Sequence, residues 1–584
     1  MSTDAQRQKQ IAEAEEILGD RLSDVGFVKG LFFGQYAADQ LLSYPLTVDD
    51  ETVQLRDSLA QFCREQVDPV TIDCDARIPA AVVAGLGRLG VLGACLPRSC
   101  GGRELSQTSY CRLLEVLGGH CGSTALFVNA HHSIGPRALV LFGTPEQQER
   151  WLPDLATGKS ISAFALTEPE AGSDAGNVQS TAEPTDDGSG FVINGEKRWI
   201  TNGGIADVLT VMARTPAAGG GSKVTAFIVT PDMPGFRVVE ERMEKCGVRG
   251  TATSRLAFDN MVVPRENVLG EIGKGLRVAL TVLDFGRTTF GASCTGAAKY
   301  CVAQAAAHAN QRVQFEQTLG EFELVKEKLA HMQAGAFAME ACTYQTAALI
   351  DSGESDFMLE TAMLKVFSTD VLWRIVNDTI QIFGGKAYFA DEPYERMMRD
   401  ARINMIGEGA NDVLRAFSAL VGMRDVGLEL EGVVNSIAQP IGNLGRLGRF
   451  AGRKLGSLFA APEVPVRSPQ LEPDAAALAR CVRNLGANVE RLLRTYREGI
   501  VDRQYLLGRV ADAATEVYVG ACVLNRLDGA LRNLPADQTR DDLQTGRYFL
   551  ATSARRIRRS LRDLWDHDDA ETNKLANALL RRHQ

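Results

Sequence analysis

The chain has 584 residues, 45% hydrophobic and 23% charged, with a formal net charge of −10. That length predicts about three or four domains, and the composition is that of a globular protein with ample core. The acidic balance argues against nucleic acid as a partner. The start, MSTDAQRQKQIAEAEEILGDRL, is polar and acid-rich, unlike a signal or transit peptide, and no apolar run reaches about 18 residues. A cytoplasmic protein is therefore expected. Twelve cysteines without a C-x-x-C pair point to free thiols in a reducing compartment.

Residues 1–50 read as an N-terminal extension closing on the aromatic cluster GLFFGQYAADQLLSYP (30–45). Residues 51–160 follow a helical pattern, as in ETVQLRDSLAQFCREQV, with apolar positions three and four apart. From 161 to 272 the runs SISAFALT, GFVINGEKRWIT, ADVLTVMART, KVTAFIVTP and SRLAFDNMVV predict strands. Asn194-Gly195 is the strongest hairpin signal among them. Long helical patterns return over 273–430. Residues 431–470 form a Gly- and Pro-containing linker, and 471–584 a last helical block. Helices, then strands, then helices predict an α+β protein rather than a doubly wound sheet.

Two motifs lead nowhere chemically. GLGRLG (Gly85, Gly87, Gly90) fits G-x-G-x-x-G, but the dinucleotide reading needs a strand before it and a βαβ context that the helical surroundings lack. His131-His132 has no third ligand at metal spacing and reads as packing or polar capping, so no metal is expected.

Three segments carry more. FALTEPEAGSDAG (164–176) leaves a strand for a loop dense in hydroxyls and glycines, which suits phosphates or ring heteroatoms but also an ordinary connection. KRWITNGG (197–204) sets Trp199, Ile200 and Thr201 at a strand end, a slab for a flat heterocycle or a core tryptophan. NMIGEGANDVLRAF (404–417) places Glu408 between Gly407 and Gly409, with no basic residue beside it, just before an apolar helical run. That is either a solvated turn acid or backbone that something approaches closely.

Together with VLDFGR (282–287), RVQF (312–315) and QIFGG (381–385), these segments resemble the acyl-CoA dehydrogenase family in order and spacing along nearly the whole chain. GIVDRQYLLGRVADAATEVYVGACVLNRL (499–527) and the early aromatic cluster are similar to the very-long-chain branch, which has an extra C-terminal helical domain. The resemblance implies α,β-dehydrogenation of a long-chain acyl-CoA to the trans-2-enoyl-CoA in fatty-acid β-oxidation. It also implies FAD as cofactor, electron-transfer flavoprotein as acceptor and a homodimer. Glu408 matches the family's base, and its N–H the donor to the thioester oxygen. Phe164, Leu166, Thr167, Gly172, Ser173, Trp199, Ile200, Thr201, Gln381, Gly384, Gly385 and Asp412 match FAD contacts. Arg312 and Phe315 match contacts to the neighbouring subunit's FAD. Ser173, Asp284, Arg287 and Gly409 match the acyl-CoA site, although an interhelical ion pair would also explain Arg287.

Three positions depart from the family pattern: Gly407 where an aromatic residue is common, Ala410 where a Thr is usual, and Glu323 where several relatives have Gln. The pocket floor is expected near STALFVNAHHSIG (123–135), with Phe127 a candidate to shorten it. Residues 435–462 contain no Asp or Glu. On a helix, Leu444, Leu447, Ala451, Leu455 and Leu458 would share one face, with Arg446, Arg449 and Arg453, next to Lys454, opposite. That basic amphipathic pattern suits peripheral contact with the inner face of a membrane. Two further readings stay open, an acyl-CoA oxidase and an assembly scaffold built on the flavoprotein fold.

Overall fold

The computed structural model describes residues 26–217, 220–438 and 461–583. The chain divides into two compact units. The first holds Thr47–Ser355 and Ser368–Ala410, the second Asp24–Leu46, Asp356–Phe367 and Asn411–Gln584.

The first unit begins with α1 (Asp50–Gln66), capped by the Asp49 carboxylate, which accepts from the Thr52 N–H at 2.8 Å. Its buried Leu55, Leu59 and Cys63 recur every fourth residue, the spacing that brings them onto one face. Then come α2 (Gln107–His120), α3 (Gly122–Val128), α4 (Gly135–Phe142) and α5 (Pro145–Thr157). The GLGRLG glycines lie in and just after the short helix Ala80–Arg88. A Cβ at Gly85 would sit 2.3 Å from the Phe62 ring, and one at Gly87 2.5 Å from the Thr157 carbonyl oxygen. They serve close packing, not a phosphate loop.

Between α3 and α4 the chain widens into a π-helical turn, Asn129–Ile134. Pro136 has no N–H to return to the preceding turn. The His131 carbonyl instead accepts from the Ser162 hydroxyl at 2.9 Å. The two histidines are buried hydrogen-bonding struts. His131 Nδ1 accepts from the Ser162 N–H at 3.1 Å, so its Nε2–H donates to the Leu155 carbonyl, also at 3.1 Å. His132 Nε2 accepts from the Cys95 N–H. Burial pushes His131 down to about 4, which keeps it neutral. Among the described residues no cluster has the makings of a metal site.

The sheet runs in the order β6 (Phe236–Glu240), β7 (Ser254–Pro264), β3 (Gly190–Ile200), β2 (Thr181–Pro184), β4 (Val208–Pro216), β5 (Ser222–Val229) and β8 (Val268–Leu269). β1 (Ser162–Ala165) pairs parallel with β4 off this path, and most of the other pairs are antiparallel. β4 is buried on both faces. Val208 and Met212 join one apolar cluster, with Trp151, Leu155 and Val278, while Leu209, Val211 and Ala213 join another, with Phe227 and Leu256. A strand covered on both sides needs a continuous apolar run, which VLTVMA supplies.

The hairpin expected at Asn194-Gly195 is not there. β3 runs straight through it with a bulge between Ile193 and Gly195, and the turn lies at Asp186–Ser189. Gly195 has φ 146°, and a Cβ on it would meet the Ser180 hydroxyl at 2.3 Å. Glycine is needed at this bulge for close approach.

Helix α6 (Gly275–Gln311) runs through the core of the first unit, followed by α7 (Glu323–Asp351). It crosses α2 closely because both carry small residues: a methyl on Gly296 would lie 1.9 Å from the Glu115 carbonyl oxygen. Helix α8 (Met358–Phe383) gives its residues up to Phe367 to the second unit and those from Ser368 to the first, which also holds α9 (Tyr394–Ile403).

The second unit is helical, with α10 (Asn411–Ala438), α11 (Glu472–Tyr496), α12 (Gln504–Asn533), α13 (Ala536–Arg562) and α14 (Asp569–Arg582). The early aromatic segment belongs to it and is not a free extension. Phe27, Val28, Leu31 and Phe32 are buried, Phe27 packs near Tyr518, and Asn525 Nδ2 donates to the Leu42 carbonyl at 2.7 Å. None of the twelve cysteines is in a disulfide. Among the described residues no helix is long and apolar enough to cross a membrane. Arg446, Arg449, Arg453 and Lys454 lie outside the described residues.

Candidate active site

Helix α9 ends at Ile403, and a turn from Asn404 to Gly409 carries Glu408 before α10 begins. Glu408 itself has φ 55° and Gly409 φ 97°. A left-handed glutamate is uncommon, and such strain persists where the surroundings enforce it. The carboxylate is held from two sides. Asn129 Nδ2, from the π turn, donates to Oε1 at 3.0 Å. Helix α6 passes with Gly286, where a Cβ would lie 2.9 Å from Oε2, so any larger residue would crowd the acid.

The backbone of the same residue is tied to α6. Arg287 Nε donates to the Glu408 carbonyl at 3.4 Å, and Arg287 Nη1 pairs with Asp284 Oδ1 at 2.8 Å. Both are buried, Asp284 1% and Arg287 5% exposed. The Arg287 ion pair is thus formed within one helix, one turn apart, rather than between helices. Its guanidinium reaches the backbone of Glu408, a positioning contact.

Beside Asn129 lies an apolar cavity of about 60 Å³, lined among others by Gly122, Ala125, Phe290, Ala297, Val376 and Asn404. The expected stretch 123–135 does line it, but Phe127, the residue expected to shorten it, is buried and does not. Its neighbours Ala125 and Leu126 do.

On the sheet, the loop after β1 and the end of β3 are bound together. The Arg198 N–H donates to the Thr167 carbonyl at 3.0 Å. Behind them Glu168 Oε1 takes the Lys197 ammonium at 2.6 Å, the Ser180 hydroxyl at 2.6 Å and the Ser180 N–H at 3.1 Å, while Oε2 takes the Gln179 N–H. Burial opposes the charge on Glu168, yet Lys197 and these donors hold its carboxyl below the usual range. Neither Glu168 nor Lys197 stood out in the sequence, because their pairing depends on the loop folding back on the strand. Trp199 sits at φ 60° with half of its surface exposed, within a second bulge in β3 between Lys197 and Ile200. Phe164, Leu166, Thr167 and Thr201 are partly exposed, and Gly172 and Ser173 are exposed. The Ile200 side chain is different: it is buried in the sheet core.

Four family models cover these elements. They are described as acyl-CoA dehydrogenase N-terminal domain (49–159), middle domain (163–261) and C-terminal domain (273–421), and ACAD9/ACADV C-terminal domain (469–583). The very long-chain specific acyl-CoA dehydrogenase of Mus musculus mitochondria is 37% identical over 548 residues, 91% of this chain and 82% of that protein. The chain belongs to the acyl-CoA dehydrogenase family. An acyl-CoA dehydrogenase complexed with FAD, from Bacillus anthracis, matches with a TM-score of 0.80 at 27% identity, over 94% of each chain. Butyryl-CoA dehydrogenase of Megasphaera elsdenii matches with a TM-score of 0.61 at 34% identity, over 63% of this chain and 97% of that one.

Membership in the acyl-CoA dehydrogenases carries FAD as cofactor and an acyl-CoA as substrate class. The residues present fit a flavin. Trp199 offers an exposed ring, hydroxyls stand beside it, and a Cβ on Gly172 would meet nothing within 4 Å, leaving its backbone approachable. Further along, β9 (Val313–Gln314) and β10 (Gln317–Thr318) form a two-residue hairpin whose turn residues, Phe315 and Glu316, have φ 51° and 66°. Phe315 is 89% exposed, and Arg312 is exposed before it. Gln381, Gly384 and Gly385 are also exposed, with Gly384 at φ 66°. Asp412, in the second unit, is solvent-exposed at the first turn of α10, 3.8 Å from Arg415. Ala410 precedes that helix, and Glu323 opens α7 in an exposed position.

Proposed function

We propose that the chain oxidises long and very-long acyl-CoA thioesters to trans-2-enoyl-CoA products, with Glu408 as the base. The carrying observation is the Glu408 carboxylate, fixed by Asn129 beside an apolar cavity and backed by Gly286. Proton removal next to a thioester needs a carboxylate that loses solvent contact when substrate arrives. Phe290, Ala297 and Val376 give the cavity beside Asn129 the apolar lining that the start of an acyl chain would need.

The Glu408 N–H is the proposed donor to the thioester oxygen as negative charge develops there. No side chain flanks it at Gly407 or Gly409, and the only atom near a Cβ at Gly407 is the Ile403 carbonyl oxygen at 3.7 Å. Arg287 holds the carbonyl of the same residue and so fixes the plane of the turn. FAD, bound by Thr167, Gly172, Ser173, Trp199 and Thr201, would supply acceptance of the hydride from the β-carbon. Electrons then pass to electron-transfer flavoprotein. Arg312 and the exposed Phe315 are proposed to reach the FAD of a second copy in a homodimer, and Gln381, Gly384 and Gly385 to contact the adenosine side of FAD. Catalysis is assigned to residues 51–430, and 471–584 to the added helical domain.

An anaerobic series of acyl-CoA substrates, followed by bleaching of the flavin, tests this. Wild type bleaches fastest with long chains. Glu408→Gln retains yellow FAD but bleaches about 10²- to 10⁴-fold more slowly. A Glu408→Gln variant with full turnover, or a wild-type protein that takes up no flavin, would overturn the reading.

A further inference from the structure

The surroundings of Glu408 are settled by counting protons. A carboxylate oxygen only accepts, so Asn129 must turn its Nδ2 toward Glu408, and its Oδ1 then faces the Thr289 hydroxyl, which must donate. With its one proton committed, Thr289 accepts from the Ser133 hydroxyl at 3.0 Å. Ser133 in turn lies 3.4 Å from the Tyr110 hydroxyl. Asn129, Thr289, Ser133 and Tyr110 are all buried. Thr289 has rival acceptors in its own helix, the carbonyls of Gly286 at 3.0 Å and Phe285 at 3.3 Å. If it turned to those, nothing in this chain of hydroxyls would fix the Asn129 amide.

We propose that Asn129, oriented by Thr289, is a positioning residue for the base: it holds the Glu408 carboxylate in its ionised form and thereby sets the acid limb of the pH–rate profile. This rests on the reading of Glu408 as the base. The π turn is what makes the contact possible, since Asn129 opens it and the Ser162 hydroxyl holds its His131 carbonyl. A donor aimed at a charged carboxylate favours the charged form, so more of the base is ready at neutral pH, at some loss of intrinsic basicity.

Other ionisable groups around this pair are few. On α6, Arg287 and Asp284 neutralise each other. In the π turn, burial lowers His131 and His132, which stay neutral, and on α2 burial raises Tyr110. On α4, Arg137 lies over the Phe285 ring. On α9, Asp400 shares the cavity wall with Asn129 and titrates near 6. Among the described residues named above, Asp400 is raised into the range where it could mimic the expected effect.

The test is the pH dependence of anaerobic flavin reduction by palmitoyl-CoA in the FAD-loaded enzyme, for Asn129→Leu, Asn129→Asp, Thr289→Val and Thr289→Ser. Asn129→Leu should move the acid limb upward by about one to two pH units, and Asn129→Asp further, because it adds a like charge. Thr289→Val should move it less in the same direction, and Thr289→Ser should restore the wild-type profile. The same shifts should persist when Asp400 is replaced by Asn. If Asn129→Leu fails to bind FAD, the Thr289 pair decides. An unchanged acid limb in Asn129→Leu and Thr289→Val, with Glu408→Gln inactive, overturns the positioning role alone. An active Glu408→Gln removes the base reading beneath it.

Discussion

At Asp400 the fold half-buries a carboxyl group, with the Val248 N–H as a donor at 2.5 Å. Burial pushes it up to about 6 from an ordinary 3.8, Asp73 adds to the rise, and Val248, Arg399 and Arg396 oppose it. The folded state therefore holds this proton where the unfolded chain has already released it. Stability is highest below the unfolded value and falls as pH rises through about 6, after which the loss is complete. Asp400→Asn keeps an acceptor for Val248 and removes the titration. The variant should match wild type near pH 4 and gain up to about 3 kcal/mol above pH 7, read from thermal unfolding across pH. A gain that is equal at both pH values would show that the titration is not its cause. The two glycines and missing basic neighbours singled out Glu408 in the sequence, and only the family resemblance gave it the role of base; nothing there pointed to Asn129. Asn129 lies 279 positions away and reaches the acid only because the helix widens just there.

Among the elements, β3 shows where local signals mislead. Asn-Gly favours a tight turn, yet Asn194-Gly195 became a bulge because the strand pairs with β7 on both sides of it. Tertiary pairing overrode the dipeptide, and the actual turn used Asp187, whose carboxylate accepts from the Ser189 N–H at 3.0 Å. The strands themselves, as short β-rich runs between turn residues, were readable. The clamp between the loop after β1 and the end of β3 was not, since nothing in TEPEAGSD or EKRWIT says that Glu168 meets Lys197. Removing one partner of such a buried pair leaves a stranded charge, worth about 3–5 kcal/mol. Glu168→Gln should thus lower the melting temperature and weaken FAD retention, because the same loop presents Thr167, Gly172 and Ser173. Adding Lys197→Met to Glu168→Gln removes the stranded ammonium while the Gln carbonyl still accepts from Ser180 or Gln179, and should recover part of the stability. If Glu168→Gln holds FAD as wild type does, the pair does not order that loop.

For the whole molecule, a chain of net charge −10 is repelled by anionic lipid, so membrane contact needs a local exception. We propose residues 435–462 for that role on their sequence alone, which holds four basic residues, no acid and recurring leucines. Each Arg or Lys near an anionic surface contributes about 1 kcal/mol, so the four together are worth roughly a thousandfold in partitioning before any apolar burial. Changing Arg446, Arg449 and Arg453 to Glu reverses that attraction without touching Glu408, the Asn129 contact or the Trp199 ledge. The wild-type protein should float with anionic vesicles and release as ionic strength rises, since the attraction is screened. The triple variant should stay at the bottom of the gradient, with unchanged flavin reduction by a soluble short-chain acyl-CoA. Retention of flotation in the variant would mean that other surfaces carry the binding. An enzyme held at the bilayer would meet long-chain thioesters where they partition.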